Sequence, residues 1–197
     1  ATTPRGAITR AMMVQLVLAA ERRSRELALM IAVQWHAGLR IGELLTLKHG
    51  CYEPGNPPML LLNVEKRDRR GRRSNQIHWK PVMEAVSVFI HAAEKLRNGE
   101  APSEFLFAIS ASEYRREFAA AKDAAGLQCE LPGMQLVPHS LRHGFVAQNC
   151  ASALPEAVLR RLDMTPTTIA RYGKSNDVRV DGSTPRGAAY PRNFARR

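Results

Sequence analysis

The run from Leu27 to Trp35 is apolar nearly all round. A helix of that kind offers no face to water, so it belongs at the centre of a fold with other elements packed about it. It is far shorter than the roughly 20 residues that a membrane span needs. Ser24 is placed to cap its N-terminus and Gly38 to end it. A buried helix between Ser24 and Gly38 is therefore expected, with the rest of the chain supplying its neighbours.

Those neighbours can be read in order. Thr9 caps a helix running to about Arg22, with Met12, Met13, Leu16, Ala19 and Ala20 on one face. A short helix follows from Ile41 to about Leu47. Tyr52–Pro58, with three prolines and a glycine, reads as a loop. Met59–Val64 and Ser74–Trp79 read as two strands of a hairpin. Its tip, Lys66–Arg73, carries six cations and one acid. Pro81 suits the first turn of a helix to about Arg97, ended by Asn98-Gly99. Ser112 is placed to cap another, to about Gly126. His139–Cys150, Pro155–Leu162 and Thr167–Tyr172 read as three more. The expected class is mainly α with a small antiparallel β-hairpin or sheet. No βαβ rhythm and no phosphate-binding glycine loop appears, which argues against a nucleotide-driven enzyme.

Two domains of behaviour are expected along the chain. Residues 1–172 form the folded part. Residues 173–197, rich in Gly, Pro, Ser, Asn and Arg, form a basic tail that is disordered or orders on a partner. The net charge of +11 favours a polyanion, above all nucleic acid. Three widely spaced cysteines, Cys51, Cys129 and Cys150, give neither a zinc pattern nor a disulfide framework. They read as buried or inert, and a reducing compartment follows: cytoplasmic in a bacterial or phage setting, nuclear in a eukaryotic one. No signal peptide layout is seen, and no membrane role is expected.

Four segments carry chemistry: His36-Ala-Gly-Leu-Arg40-Ile-Gly-Glu43, Val64-Glu-Lys66, His139-Ser-Leu-Arg142-His143-Gly and Thr167-Thr-Ile-Ala-Arg-Tyr172. Cutting a DNA strand without metal or ATP takes a nucleophile, a grip on phosphate charge and an acid for the leaving oxygen. Two arginines supply forked donors to that charge. A tyrosine hydroxyl can attack and hold the phosphoryl group covalently. A lysine can protonate the leaving oxygen, and a histidine adds a donor or base. His139 and Arg142 are three apart, on one helical face, as are Arg40 and Glu43. Glu43 is placed to hold the Arg40 guanidinium from behind or to brace the loop. Taken singly, each residue also has a structural reading. Arg40 fits a surface ion pair, His139 and His143 fit structural histidines, Tyr172 fits a packing tyrosine, and Lys66–Arg73 fits a solvated loop. Tyr190 is a weaker rival nucleophile. Trp35, His36 and Trp79 read as core or hairpin packing.

The ordered set resembles the tyrosine recombinase (phage integrase) family, whose boxes read T-G-L-R-x-x-E-L and H-x-L-R-H. The likeness runs from about Thr9 to Tyr172, in family order. It implies the fold of a tyrosine-recombinase catalytic domain and a site-specific strand exchange on double-stranded DNA. It also implies roles: Arg40 and Arg142 clamp the scissile phosphate, and His139 bonds to it and accepts the tyrosine proton. Lys66 acts as general acid, and Tyr172 forms a 3′-phosphotyrosyl bond that releases a 5′-hydroxyl. Lys66, Arg67, Arg69, Arg70, Arg72 and Arg73 are expected to contact DNA, with Glu43 and His143 in support. No metal, nucleotide or other cofactor is implied. Four protomers are expected to assemble on DNA from monomers. The sequence departs from the family where an L-G-H box usually stands, with Asp163 and Met164 in its place. Asp163 is expected to point away or to be neutralised by an arginine. The family's N-terminal helical domain is expected to be missing. Two alternatives share these residues: a DNA-binding module that has lost its chemistry, and a topoisomerase-like or telomere-hairpin activity.

Overall fold

A computed structural model describes residues 6–67, 73–97, 104–129 and 132–152, and of 64–67, 73–76, 97 and 150–152 the backbone alone. The expected helices at 155–162 and 167–172 and the tail at 173–197 lie outside the described residues. The order is α1 (Arg10–Glu21), α2 (Arg25–Ala37), α3 (Ile41–Leu45), β1 (Tyr52–Glu53), β2 (Met59–Arg67), β3 (Arg73–Pro81), α4 (Ala85–Arg97), α5 (Ala111–Ala124) and α6 (Pro138–Ser152). The class is mainly α with a three-stranded antiparallel sheet, ordered β1-β2-β3.

α2 is the central helix. Every residue from Leu27 to Val33 is fully buried, and Trp35 keeps 3% of its surface. α1, α4, α5 and α6 all pack against α2 or its neighbours, which accounts for an apolar surface on every side of it. Its ends are those read from the sequence: the Ser24 hydroxyl accepts from Leu27 N at 3.4 Å, and Gly38 takes the left-handed conformation at φ 60°. Thr9 caps α1 in the same way, at 3.3 Å from Met12 N. Met13 is fully buried, whereas Met12 is half-buried at the edge of the core. Among the described residues, no helix is long and apolar enough to cross a membrane.

Four expectations need correction. α5 is capped by Ser110, not Ser112; the Ser110 hydroxyl accepts from Glu113 N at 3.2 Å. Ser110-Ala-Ser-Glu113 is a serine followed three residues on by glutamate, and Ser112 has no such partner. Pro81 closes β3 opposite Met59 and does not open α4. A proline is tolerated there because β3 is an edge strand ending at that residue. Tyr52 and Glu53 pair with Leu60 and Met59, so the loop begins one element later than expected. The hairpin ladder runs on to Arg67↔Arg73, which places Lys66 inside the ladder opposite Ser74. Residues 68–72 of the basic segment lie outside the described residues.

The faces of the hairpin run against its own apolar pattern. Leu60 and Leu62 of β2 point into the core and pair with Lys80 and His78 of β3. Ile77 and Trp79 share the opposite face with Asn63 and Leu61, and are 69% and 45% exposed. Trp79 is therefore hairpin packing and not core.

Candidate active site

The C-terminal end of α2 organises the site. Beyond Ala37 the chain turns at Gly38, and Leu39 N donates back to Gln34 O at 3.1 Å. A Cβ at Gly38 would lie 2.4 Å from the Phe145 ring, so only glycine serves both the backbone twist and the close approach of α6. α6 makes a matching concession at Gly144, where a Cβ would fall 1.8 Å from Ile8 O and 2.3 Å from the Trp35 ring. These two glycines let α6 close onto α2, and Arg142 then reaches the turn.

Three consecutive carbonyls of the turn each receive a side chain. Lys80 Nζ donates to Ala37 O at 2.7 Å and to Gly38 O at 3.4 Å. Arg142 Nη1 donates to Gly38 O. Gln34 Nε2 donates to Leu39 O at 3.2 Å, and its Oε1 accepts from the buried Tyr114 hydroxyl at 2.6 Å. A buried backbone acceptor without a partner is costly, and here β3, α6 and α2 with α5 share the duty.

The next residue is Arg40, which starts α3. Glu43 Oε2 accepts from Arg40 N at 2.7 Å, and Oε1 accepts from Arg40 Nη1 at 2.5 Å. Glu43 therefore both holds the guanidinium and braces the loop. Arg142 Nη1 lies 3.8 Å from Glu43 Oε2. The two arginines so converge on one carboxylate, but differ in exposure: the Arg40 side chain is 49% exposed, that of Arg142 only 1%. Burial works to raise the Glu43 pKa, but the Arg40 amide and the charges of Lys80, Arg142 and Arg40 outweigh it and hold the carboxyl below its usual range.

His139 lies one turn before Arg142 on α6, half-buried, and its ring meets that of His143 edge-on at 4.8 Å. The start of α6 is fixed by Ser140, whose buried hydroxyl accepts from Val137 N at 3.1 Å. His36 stacks on Phe89 at 5.0 Å, and burial first, then the Arg10 charge, push its pKa down to about 4. It is a neutral packing residue. Cys51 is buried, and burial followed by the Glu94 charge pushes its thiol up to about 12.

The structure thus brings Arg40, Glu43 and Arg142 together and sets His139 and His143 on the adjoining helix. Lys66 is described by its backbone only, as are Arg67 and Arg73. Tyr172, Asp163, Met164, Arg69, Arg70 and Arg72 lie outside the described residues. Sequence reasoning passed over Lys80, Gln34 and Tyr114. No local sequence signal marks Lys80, whose place on the face shared with Leu60 and Leu62 follows from the strand register.

Residues 7–162 match the sequence profile of the family described as "Phage integrase family". The chain belongs to the phage integrase family. Its fold is similar to a lambda integrase dimer bound to a COC′ core site, with a TM-score of 0.68 and 17% identity over 92% of this chain and 51% of that one. It is also similar to the Tn1549 transposon integrase in complex with circular intermediate DNA, with a TM-score of 0.67 and 20% identity over 87% of this chain and 61% of that one. XerH recombinase bound to its difH substrate gives a TM-score of 0.64 at 14% identity, over 87% of this chain and 51% of that one. This phage integrase family chain therefore spans about half to three-fifths of the length of these structures. No curated protein matches it by sequence.

Proposed function

We propose that this chain is the strand-cutting part of a site-specific DNA recombinase or integrase, working through a covalent bond to Tyr172. The observation that carries the proposal is the convergence of Arg40 and Arg142 on Glu43 and the Gly38 turn. Two guanidinium groups from segments a hundred residues apart are held by fixed acceptors, in a chain of the phage integrase family.

In this reading the scissile phosphate sits against Arg40, the exposed member of the pair. Arg142 stiffens the floor and turns a donor to the phosphate as charge builds on its non-bridging oxygens. The Tyr172 oxygen attacks phosphorus while the bond to the 5′-oxygen breaks. His139 accepts the phenol proton, and Lys66 gives a proton to the leaving oxygen. The phosphotyrosyl bond keeps the energy of the broken link, so a 5′-hydroxyl from another strand reverses the step without ATP. Arg67, Arg69, Arg70, Arg72 and Arg73 hold the duplex through its backbone phosphates. Strand exchange brings four protomers together on DNA from monomers in solution. Asp163 lies turned from the phosphate or paired to an arginine.

Covalent trapping tests this. The chain is mixed with nicked suicide duplexes drawn from DNA flanking its own gene, then denatured in detergent. A protein–DNA band that Tyr172→Phe abolishes is the expected result. Salt-sensitive binding without any adduct would refute strand cutting and favour a DNA-binding module. Relaxed circles without strand-transfer products would favour topoisomerase-like chemistry.

A further inference from the structure

Lys80 is the least expected residue in the core. It is 2% exposed on β3, while its neighbour Trp79 and the nearby Ile77 on the same strand stand in water. An ammonium is among the most costly groups to bury, and an apolar side chain at position 80 would complete the layer formed by Leu60 and Leu62. Packing alone therefore does not account for a lysine. What does account for it is the end of the side chain. Nζ is 2.7 Å from Ala37 O and 3.4 Å from Gly38 O, and Gly38 O is the same oxygen that receives Arg142.

We propose that Lys80 is a positioning residue for strand cleavage: it fixes the α2–α3 turn from which Arg40 projects and the carbonyl on which Arg142 is held. The inference rests on the reading that Arg40 and Arg142 grip the scissile phosphate. Lys80 touches no substrate itself. Its ammonium clamps two successive carbonyls, so the turn cannot rotate its peptide planes without breaking one bond or the other. Its charge also faces Glu43, the shared acceptor of both arginines. With Lys80 in place, the two guanidinium groups are preset before DNA arrives. Without it, Gly38 O must satisfy Arg142 from a looser turn, and preorganisation is lost.

The test uses the whole chain. Lys80→Met keeps length and volume without donors, and Lys80→Gln is a milder companion that keeps a neutral donor. Leu106→Ala, in the core, serves as a control for lost stability. Two measurements are made on each. The first is single-turnover adduct formation on a nicked suicide duplex over a range of DNA concentrations. The second is the arginine side-chain N–H spectrum by NMR, with Arg142 assigned through Arg142→Lys. The expected result is a fall of at least tenfold in the adduct rate at saturating DNA, with the half-saturating concentration unchanged within twofold. The Arg142 side-chain signals shift or broaden in both Lys80 variants and stay in place in Leu106→Ala. An Arg142 signal unmoved in the Lys80 variants, or an adduct rate equal to that of Leu106→Ala, overturns the proposal. If the unaltered chain forms no adduct, the strand-cutting reading fails, and the spectrum still decides whether Lys80 positions Arg142.

Discussion

Replacing Glu43 by glutamine keeps the shape of the side chain but removes its charge and turns one of the two oxygens that accept from Arg40 into a donor. Glu43 is 5% exposed and faces Arg40, Lys80 and Arg142. Arg40 is half exposed, so water screens its share. Lys80 and Arg142, at 2% and 1% exposure, have no such relief. Removing one partner from a buried ion cluster costs about 3 kcal/mol or somewhat more. For a chain of this size that is a fall in Tm of roughly 6–12 °C. Urea unfolding of Glu43→Gln beside the unaltered chain, at a series of pH values, provides the assay. The sign follows from the direction of the shift. Glu43 ionises more readily in the folded state than its ordinary value of 4.5. Its contribution is therefore complete above that value and fades as pH falls below it. The gap between the two proteins should stay constant from neutral pH to about 5 and narrow in more acidic solution. A gap below about 1 kcal/mol at pH 7, or one that does not narrow on acidification, would refute the reasoning.

Three further outcomes follow from the described contacts. Ser110→Ala should lose about 1 kcal/mol in denaturant unfolding, and Ser112→Ala less than about 0.5, because Ser110 supplies the cap of α5. Tyr114→Phe leaves Gln34 Oε1 without its 2.6 Å donor inside the core and should cost about 1–3 kcal/mol by the same assay. His36 is held neutral in the fold, with its pKa pushed from 6.5 to about 4. Unfolding therefore takes up a proton between those values, and stability should drop by up to about 3 kcal/mol as pH falls from 6.5 to 4. His36→Leu should flatten that slope by about one proton.

Much of this was legible in the sequence because it is local. The continuous apolar run fixed the place of α2, and its caps Ser24 and Gly38 stood at the expected ends. The i,i+3 pairing of Arg40 with Glu43 follows from helix geometry alone. What escaped is non-local or contrary to pattern. Alternation favours Ile77 and Trp79 as the buried side of β3, yet the strand turns Lys80 inward, where it meets two carbonyls at the end of α2. Nothing in the sequence near Lys80 announces those carbonyls, which belong to residues more than forty positions earlier. The link from Tyr114 through Gln34 to Leu39 is equally silent, since it joins two helices by side chains that each look like ordinary helix residues. Ser110 was readable from Glu113 three residues on, and Ser112 was the distraction.

The turn after α2 also bears on how the site keeps its charge in balance. Arg40, Lys80 and Arg142 bring three positive charges, and among the described residues Glu43 faces all three with one negative charge. The carbonyls of Ala37 and Gly38 are the C-terminal pole of a thirteen-residue helix, where aligned peptide dipoles act as roughly half a negative charge. That pole serves as a second counter-ion made of backbone. A carboxylate can be neutralised by a proton, but a helix end cannot. Acid should therefore loosen Arg40 by protonating Glu43 while Arg142 and Lys80 stay anchored to the helix end, so a fall in pH releases one arm of the cluster and leaves the other in place.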